Sequence, residues 1–229
     1  MRLSVIIPAL NEADGINQTL QTLQALRTWG HEVIVVDGGS QDDTLKVCGP
    51  FVDRLLRSPR GRACQMNAGA AVASGDVFVF LHADTLLPRS ADRAIRSALH
   101  KGRRWGRFDV KLSGRRWLLR VVERGMNLRS RVTGICTGDQ AIFVRRQAFE
   151  KIGGFQNIEL MEDIALSRAL LRLSRPARIK WKVKTSSRRW ESEGITRTIG
   201  IMWLLRLSYF FGADPARLAR RYGARTPAG

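Results

Sequence analysis

Polar side chains follow a run of apolar residues near the middle of the chain. Residues 77–81 (VFVFL) are typical of a strand buried on both faces, as in a parallel sheet. His82 and Asp84 come directly after this strand, and Pro88 closes the loop. Open α/β sheets bind their ligands beyond the carboxyl ends of strands, so Asp84 is predicted to project a carboxylate into a cleft. The alternative is a solvated aspartate that caps the next helix.

Two earlier strands end in the same way. Residues 3–8 form a predicted strand that runs into Asn11 and Glu12, and residues 33–36 form another that runs into Asp37. The glycine pair after Asp37 permits a tight turn, and Ser40 or Asp42 can cap a helix that begins near residue 44. The spacing is not GxGxxG, so the usual dinucleotide-binding fingerprint is absent.

Three acids lie close together further along the chain, at Glu159, Glu162 and Asp163. Asp163 precedes Leu166 by three residues, so both lie on the inward face of the helix predicted here. A carboxylate on that face, at the mouth of a helix, can act as a general base. Alternatively, Asp163 only caps the helix, where the macrodipole favours an acid.

Basic residues precede the last predicted helix, in the polar loop that contains Arg188, Arg189 and Trp190. Arginine is well suited to hold a diphosphate because its guanidinium donates paired hydrogen bonds. The alternative, a solvated basic surface, must apply to most of the chain's 39 lysines and arginines.

Strand and helix patterns alternate up to Pro88, which predicts a parallel sheet with right-handed crossovers. Beyond Pro88 the rhythm changes. The later segments are a helix at 90–100, a strand around 108–112, a basic helix at 115–132, a strand at 141–144 and a helix from 159. We therefore predict an α/β fold whose central sheet is Rossmann-like and mostly parallel, flanked by helices, with a smaller mixed portion.

Composition limits the kinds of partner. The chain has 229 residues, 44% of them hydrophobic, which is enough for a sizeable core. Its formal net charge of +19 favours an anionic partner, such as nucleotide phosphates, nucleic acid or an acidic membrane surface. The three cysteines have no CxxC pairing, which predicts reduced thiols in a cytoplasmic protein.

The strand endings and later motifs form an ordered series. They are PALNE at 8–12, DGGSxDxT at 37–44, LHAD at 81–84, GDQ at 138–140, GGF at 153–155, ED at 162–163 and RRW at 188–190. This series resembles family 2 glycosyltransferases of the GT-A fold, from residue 3 to about residue 190. The short length and the ending resemble a small bacterial subgroup linked with arsenosugar biosynthesis.

The resemblance implies an inverting transfer of a sugar from a nucleoside diphosphate to an unidentified acceptor. Among the nucleoside diphosphates, UDP is the one expected first. Expected nucleotide-binding residues are Pro8, Ala9, Asn11, Glu12, Asp37, Ser40, Arg62 and His82. Asp84 is the expected ligand of Mg²⁺ or Mn²⁺. The expected catalytic residues are Asp163, as the base, with Glu162 and Arg189. Asp139 and Trp190 are expected on the acceptor side.

Two positions depart from the family's motifs. His82 stands where the first Asp of the Asp-x-Asp motif is usual, which leaves ribose recognition and metal preference open. Arg189 and Trp190 resemble the end of a Gln-x-x-Arg-Trp motif, here without its Gln.

Two other function classes remain open at this point. A sugar-phosphate nucleotidyltransferase, or another nucleotide-binding enzyme, would be favoured by a glycine-rich loop with a phosphate-binding lysine, and none lies near the first strand. A nucleic-acid-binding protein would account for the charge. However, the basic residues are scattered rather than gathered on a reading helix, which argues against specific nucleic-acid recognition.

We expect a single domain over 1–229, with a nucleotide-binding half (1–88), an acceptor and catalytic half (89–190) and a C-terminal helical segment (191–229). Within that segment, residues 199–211 are apolar nearly all round but too short to span a bilayer. They predict either a core helix or an interfacial helix with Trp203, Tyr209 and Phe210 at the headgroups. With the net charge, the second alternative predicts a cytoplasmic protein in weak contact with an anionic inner membrane face.

Overall fold

The computed structural model describes residues 1–100 and 102–223. The strands are β1 (Leu3–Ala9), β2 (Glu32–Asp37), β3 (Arg54–Arg57), β4 (Val77–Phe80), β5 (Thr85–Leu86), β6 (Trp105–Leu112), β7 (Ile142–Arg145) and β8 (Ala177–Thr185). The helices are α1 (Ala13–Thr28), α2 (Thr44–Cys48), α3 (Arg62–Val72), α4 (Ala91–His100), α5 (Trp117–Thr133), α6 (Arg146–Lys151), α7 (Glu162–Leu171), α8 (Arg188–Ser192), α9 (Ile195–Phe210) and α10 (Pro215–Gly223). Short 3₁₀ turns cover Gly49–Phe51 and Gly138–Gln140.

All eight strands belong to one sheet in the order β3-β2-β1-β4-β7-β6-β8-β5. The pairs among β1 to β4 are parallel, as the alternation of strand and helix predicts. The strand β7 is antiparallel to both of its neighbours, β4 and β6. The strands β6 and β8 are parallel, and β5 is antiparallel to β8. The predicted α/β fold, with a mostly parallel sheet and a mixed second portion, is confirmed. The division of the chain into functional halves stays a prediction.

Apolar side chains cover both faces of the sheet, because successive strand residues point to opposite sides. Val5 and Ile7 of β1 join a cluster with α1, α4 and α5, and Ile6 joins the opposite cluster with α3, α6 and α7. A side chain at Gly69 would lie 2.5 Å from Ile6 Cγ2, so glycine there lets α3 approach β1 closely.

The strand β8 is absent from the sequence-based prediction, although its residues alternate between apolar and basic types. Val183 is buried between exposed lysines, and Asp109 of β6 pairs with Arg178 of β8 at 2.6 Å. The side chains of Arg107 and Asp109 are themselves buried and paired with each other. Buried charges of this kind are tolerated because each one is paired and hydrogen-bonded.

The C-terminal helices are held against the start of α7. A small apolar cluster joins Met161 and Ile164 to Leu205 of α9 and Leu218 of α10. Of the predicted segment 199–211 only Leu205 is buried, so a helix enclosed by the core is wrong. Tyr209, expected at the headgroups, is half-buried and lies under Arg168 instead. Residues 224–229 of the predicted C-terminal segment lie outside the described residues.

None of the helices in 1–100 and 102–223 has the length and apolar character needed to cross a bilayer.

All three cysteines are free: Cys48 and Cys136 are buried, and Cys64 is half-buried. Burial raises the pKa of Cys48 to about 11 and that of Cys136 to about 12, which leaves little of the reactive thiolate at neutral pH. In a thiol titration we expect Cys64 to react first in the native protein. All three thiols should react after denaturation without reductant, whereas a single reactive thiol would reveal a disulfide.

Candidate functional site

The ends of three strands meet at one edge of the sheet. The strands β1 and β4 are parallel neighbours, so the residues after them, Glu12 and Asp84, lie at the same edge. Because β7 is antiparallel to β4, the residues before β7 also reach this edge, among them Asp139. The topology thus brings acids that are distant in sequence to one place.

An open cleft of about 430 Å³ lies at this edge. Its wall includes most of the predicted site residues, namely Pro8, Ala9, Glu12, Arg62, His82, Asp84, Asp139, Glu162, Asp163, Arg189 and Trp190. The remaining three, Asn11, Asp37 and Ser40, lie beside the cleft and do not line it.

These three residues organise the neighbouring loop. Asp37 is fully buried, and its carboxylate accepts hydrogen bonds from the backbone N–H groups of Gly39 and Ser40. The Ser40 hydroxyl accepts from the N–H of Asn11 at 2.9 Å, and the Asn11 side chain accepts from the N–H of Gln41 at 2.9 Å. The turns after β1 and β2 are therefore tied to each other next to the cleft.

The His82 side chain is directed at Asp139. Its Nδ1 lies 3.2 Å from Asp139 Oδ1. Burial raises the pKa of Asp139, but the hydrogen bond from His82 and the charges of Arg62 and Arg206 outweigh this and lower it overall. A side chain at Gly138 would overlap the His82 imidazole, so the pairing depends on glycine at that position.

Asp84 has one supported carboxylate oxygen. Its Oδ1 lies 3.3 Å from the Thr85 hydroxyl and 3.5 Å from the Thr185 hydroxyl, and these two hydroxyls are 2.9 Å apart. Among the described residues, Oδ2 accepts no hydrogen bond, and no group of three or more His, Cys, Asp or Glu side chains is placed to hold a metal. Mg²⁺ sites commonly use one or two carboxylates and complete the shell with substrate phosphates and water. Asp84 fits a metal bound in that way.

The carboxyl group of Glu12 is affected by the charge of Asp84 in the cleft. Burial and the negative charge of Asp84 raise the pKa of Glu12, against the opposing charges of Arg188, Arg62 and His82. Arg188 Nη2 lies 3.7 Å from Glu12 Oε2. The charge of Asp84 thus increases the affinity of Glu12 for a cation or a proton.

Asp163 is fixed by backbone donors at the start of α7. Its Oδ1 accepts from the N–H of Ile164 at 2.7 Å, and its Oδ2 accepts from the N–H of Gly138 at 3.0 Å. The neighbouring Glu162 is buried, and both burial and the charge of Asp163 raise its pKa. A buried carboxyl whose pKa is raised, as that of Glu162 is, beside a second acid is typical of acid–base sites.

Arg189 and Trp190 lie on α8, so the predicted polar loop is wrong at these positions. Arg189 stacks on the Tyr222 ring at 4.1 Å, and its Nε is 3.1 Å from Glu193 Oε1. Burial lowers the pKa of Arg189, although Glu193 opposes the shift. The short helix orients both residues toward the cleft.

Among the cleft residues that sequence reasoning missed are Arg206 on α9 and Tyr222 on α10. Burial lowers the pKa of Arg206, although the charges of Asp163 and Asp139 oppose the shift, and all three residues line the cleft. A lone arginine in an apolar helix was the available signal, since a buried cation needs anionic neighbours.

Backbone strain is concentrated around the cleft. Among the described non-glycine residues, positive φ angles occur at Asn11 (51°), Ala141 (46°) and Met161 (71°). Asn11 follows β1, Ala141 follows the turn that contains Asp139, and Met161 precedes Glu162. Strained residues of this kind are enriched at functional sites.

Comparisons with known proteins agree with this geometry. Residues 4–153 match the sequence model of "Glycosyl transferase family 2". An uncharacterized glycosyltransferase of Mycobacterium tuberculosis is 42% identical over 96 residues, which is 40% of this chain and 34% of that protein. Poly-beta-1,6-N-acetyl-D-glucosamine synthase of Staphylococcus aureus is 32% identical over 95 residues, 39% of this chain and 23% of the synthase. The alignments with these curated relatives thus span about a third of their length or less.

Solved structures extend the fold comparison over most of the chain. S. aureus TarS 1-349 in complex with UDP-GlcNAc has a TM-score of 0.67 at 20% identity, covering 81% of this chain and 58% of that one. The mannosyltransferase PcManGT from Pyrobaculum calidifontis, in complex with GDP-Man and Mn²⁺, has a TM-score of 0.65 at 21% identity, covering 99% and 70%.

Proposed function

Because the chain belongs to glycosyl transferase family 2, we propose that it is an inverting glycosyltransferase that uses a nucleoside-diphosphate sugar. The observation that carries the proposal is the cleft itself, where Asp84, Asp163 and several arginines converge at the ends of the parallel strands. Two fold neighbours were solved with such donors, one with UDP-GlcNAc and one with GDP-Man. We propose a UDP-linked sugar as the first donor to test.

In this proposal Asp84 would hold a divalent cation, Mg²⁺ or Mn²⁺. The cation would supply positive charge where negative charge develops on the leaving group. Arg189 would add a protein cation, since it lines the cleft within reach of the same space. The nucleotide would lie along Pro8, Ala9, Glu12, Arg62 and His82, beside the loop of Asn11, Asp37 and Ser40.

Asp163 would act as the general base. As the acceptor oxygen forms its bond to the anomeric carbon, the bond from that carbon to the diphosphate oxygen breaks. The acceptor's proton passes to Asp163, and the nucleoside diphosphate leaves. Attack opposite to the leaving group inverts the anomeric centre. Hydrogen bonds from Gly138 and Ile164 hold the carboxylate of Asp163 in place for this step.

We propose the roles of the remaining site residues from their positions in the cleft. Asp139 and Trp190 would contact the acceptor, and Glu162 would support Asp163. His82 would contact the nucleotide while its Nδ1 is directed at Asp139. The arsenosugar subgroup stays a prediction. A cytoplasmic location in weak contact with an anionic membrane face is proposed from the free cysteines and the net charge of +19.

The decisive experiment is a binding titration of the purified protein. We expect UDP- or GDP-sugars to bind saturably when Mn²⁺ is present and much more weakly when a chelator removes it. The reason is that Asp84 is itself anionic and cannot hold the anionic diphosphate without the cation. A DNA duplex should bind weakly and lose binding as salt rises. Tighter binding of DNA than of every donor at physiological salt would contradict the proposal. Release of pyrophosphate from a sugar phosphate and a nucleoside triphosphate would favour a nucleotidyltransferase.

A further inference from the structure

Two neighbouring helices expose apolar stripes on their solvent sides. Nine of the eleven large apolar side chains that are exposed among the described residues lie on α5, on α9 or directly after it, with exposures of 51% to 77%. They are Trp117, Val121, Leu128 and Val132 on α5, and Trp203, Leu204, Leu207, Phe210 and Phe211 on or just after α9. We call this surface the α5–α9 face.

The stripes follow helical geometry, so they are surfaces and not scattered residues. On α5 they recur at spacings of four, seven and four residues, which keeps them on one side of the helix. Each helix buries its opposite side, α5 through residues such as Leu119 and Met126, and α9 through Thr198 and Leu205. The two helices are in contact with each other.

The exposed charged residues of α5 and α9 are all arginines. Arg124 and Arg131 are exposed within the α5 stripe, and Arg197 is exposed in the first turn of α9. None of these three makes an ion pair within the described part of the chain. The helix α9 contains no acid, and the one acid of α5, Glu123, is buried against Arg120 and the Leu112 N–H. The face therefore combines apolar contact with free positive charge.

We propose that the α5–α9 face docks on an anionic lipid bilayer. Tryptophan, phenylalanine and leucine on a helix surface insert at the level of the headgroups, and adjacent arginines attract anionic lipids. A second copy of this chain fits less well, because a two-fold contact through this face would bring like charges together. The inference deepens the proposed membrane contact by naming its surface, which includes α5 as well as the apolar C-terminal helix.

The face is continuous with the cleft wall through α9. Met202 and Arg206 line the cleft, whereas Trp203 and Leu207, next to them in sequence, are exposed on the outer side. Docking would therefore place the cleft wall one helix thickness from the lipid surface. Acceptors carried by that surface would be close to Asp163.

The test is flotation of the full chain with vesicles of phosphatidylcholine alone or mixed with phosphatidylglycerol, at low and high salt. We expect binding to the mixed vesicles at low salt and much less to the neutral ones. The double variants L128E/L207E and R124E/R131E should each lower the partition coefficient by about tenfold or more. None of these four residues lines the cleft.

Matched controls lie elsewhere on the surface. Trp29→Glu places an acid at an apolar side chain as exposed as Leu207, at 53% against 55%. The variant K46E/R93E changes the net charge as much as R124E/R131E does, but on α2 and α4. Both controls should partition within about twofold of the unaltered chain, since neither touches the face.

Three results would overturn the inference. The first is that the chain binds neutral and mixed vesicles equally well, or binds neither. The second is that the variants of the face bind vesicles as well as the control variants do. The third is that light scattering shows a dimer, which L128E/L207E converts to a monomer. The last result would assign the face to a second copy. Donor binding, measured on the same preparations, separates this inference from the proposed activity. Loss of donor binding with intact flotation would contradict only the transferase.

Discussion

Asp84→Ala is expected to reduce metal-dependent sugar transfer by on the order of a hundredfold or more, because it removes the proposed protein ligand of the cation. The side chain is half-buried, and the Thr85–Thr185 hydroxyl pair that supports it remains without it, so the fold should persist. Donor binding should weaken in parallel and lose its dependence on Mn²⁺. Turnover should be measured as nucleoside diphosphate released, and donor affinity by calorimetry with and without metal.

A control for Asp84 is available on α6, the helix that begins where β7 ends. Glu150 is an exposed acid on α6 that does not line the cleft, and Glu150→Gln should leave turnover and metal dependence unchanged. Thermal unfolding of both variants would verify the fold. If Asp84→Ala turned over donor at the normal rate with the usual metal dependence, Asp84 would be only a turn residue.

Asp163→Asn is expected to abolish transfer while sparing donor binding, with kcat lower by about 10² to 10⁴. Asparagine retains one acceptor oxygen, for the N–H of Ile164 or that of Gly138, and gives up the other hydrogen bond, so the fold of this variant should be verified by thermal unfolding. The amide cannot accept a proton from the acceptor. Donor affinity should change little, in contrast to Asp84→Ala, and this difference separates a base from a metal ligand.

The pH profile provides a second readout for Asp163. The negative charge of Asp163 is one cause of the raised pKa of Glu162, after burial. With Asp163 neutral, Glu162 should ionise at a lower pH, and any residual activity that needs Glu162 ionised should extend to lower pH. A variant that transfers sugar at nearly the normal rate would mean that Asp163 serves only as a helix cap.

The first 88 residues could be predicted closely, because buried parallel strands appear in sequence as short apolar runs. The predicted strands 3–8, 33–36 and 77–81 match β1, β2 and β4 within one residue at each end. Their polar endings, Glu12 and Asp84 among them, come together because parallel strands end at one edge.

The structure of the chain after Pro88 was harder to predict from the sequence, for physical reasons. Lysines at every other position of β8 resemble scattered surface charge, although alternation with Val183 and Ile179 is the strand signal. Arg206 could not be recognised as a cleft residue from the local pattern, because the acids whose charges act on it, Asp139 and Asp163, are far away in sequence. The pairing of His82 with Asp139 depends on β7 being antiparallel to β4, which local patterns do not encode.

The support of Asp84 by Thr185 has a consequence for the order of events during biosynthesis. The two residues are separated by 101 positions, and β5 joins the sheet only through β8. At typical rates of translation, Thr185 leaves the ribosome roughly 5 to 20 s after Asp84. A nascent chain can therefore complete the four parallel strands while Asp84 still lacks the second of its two hydroxyl partners, Thr185, and the edge of β6 is unpaired. Contacts this distant in sequence form late in folding, so the chain acquires its nucleotide-facing surface before the carboxylate on which chemistry would depend is fixed.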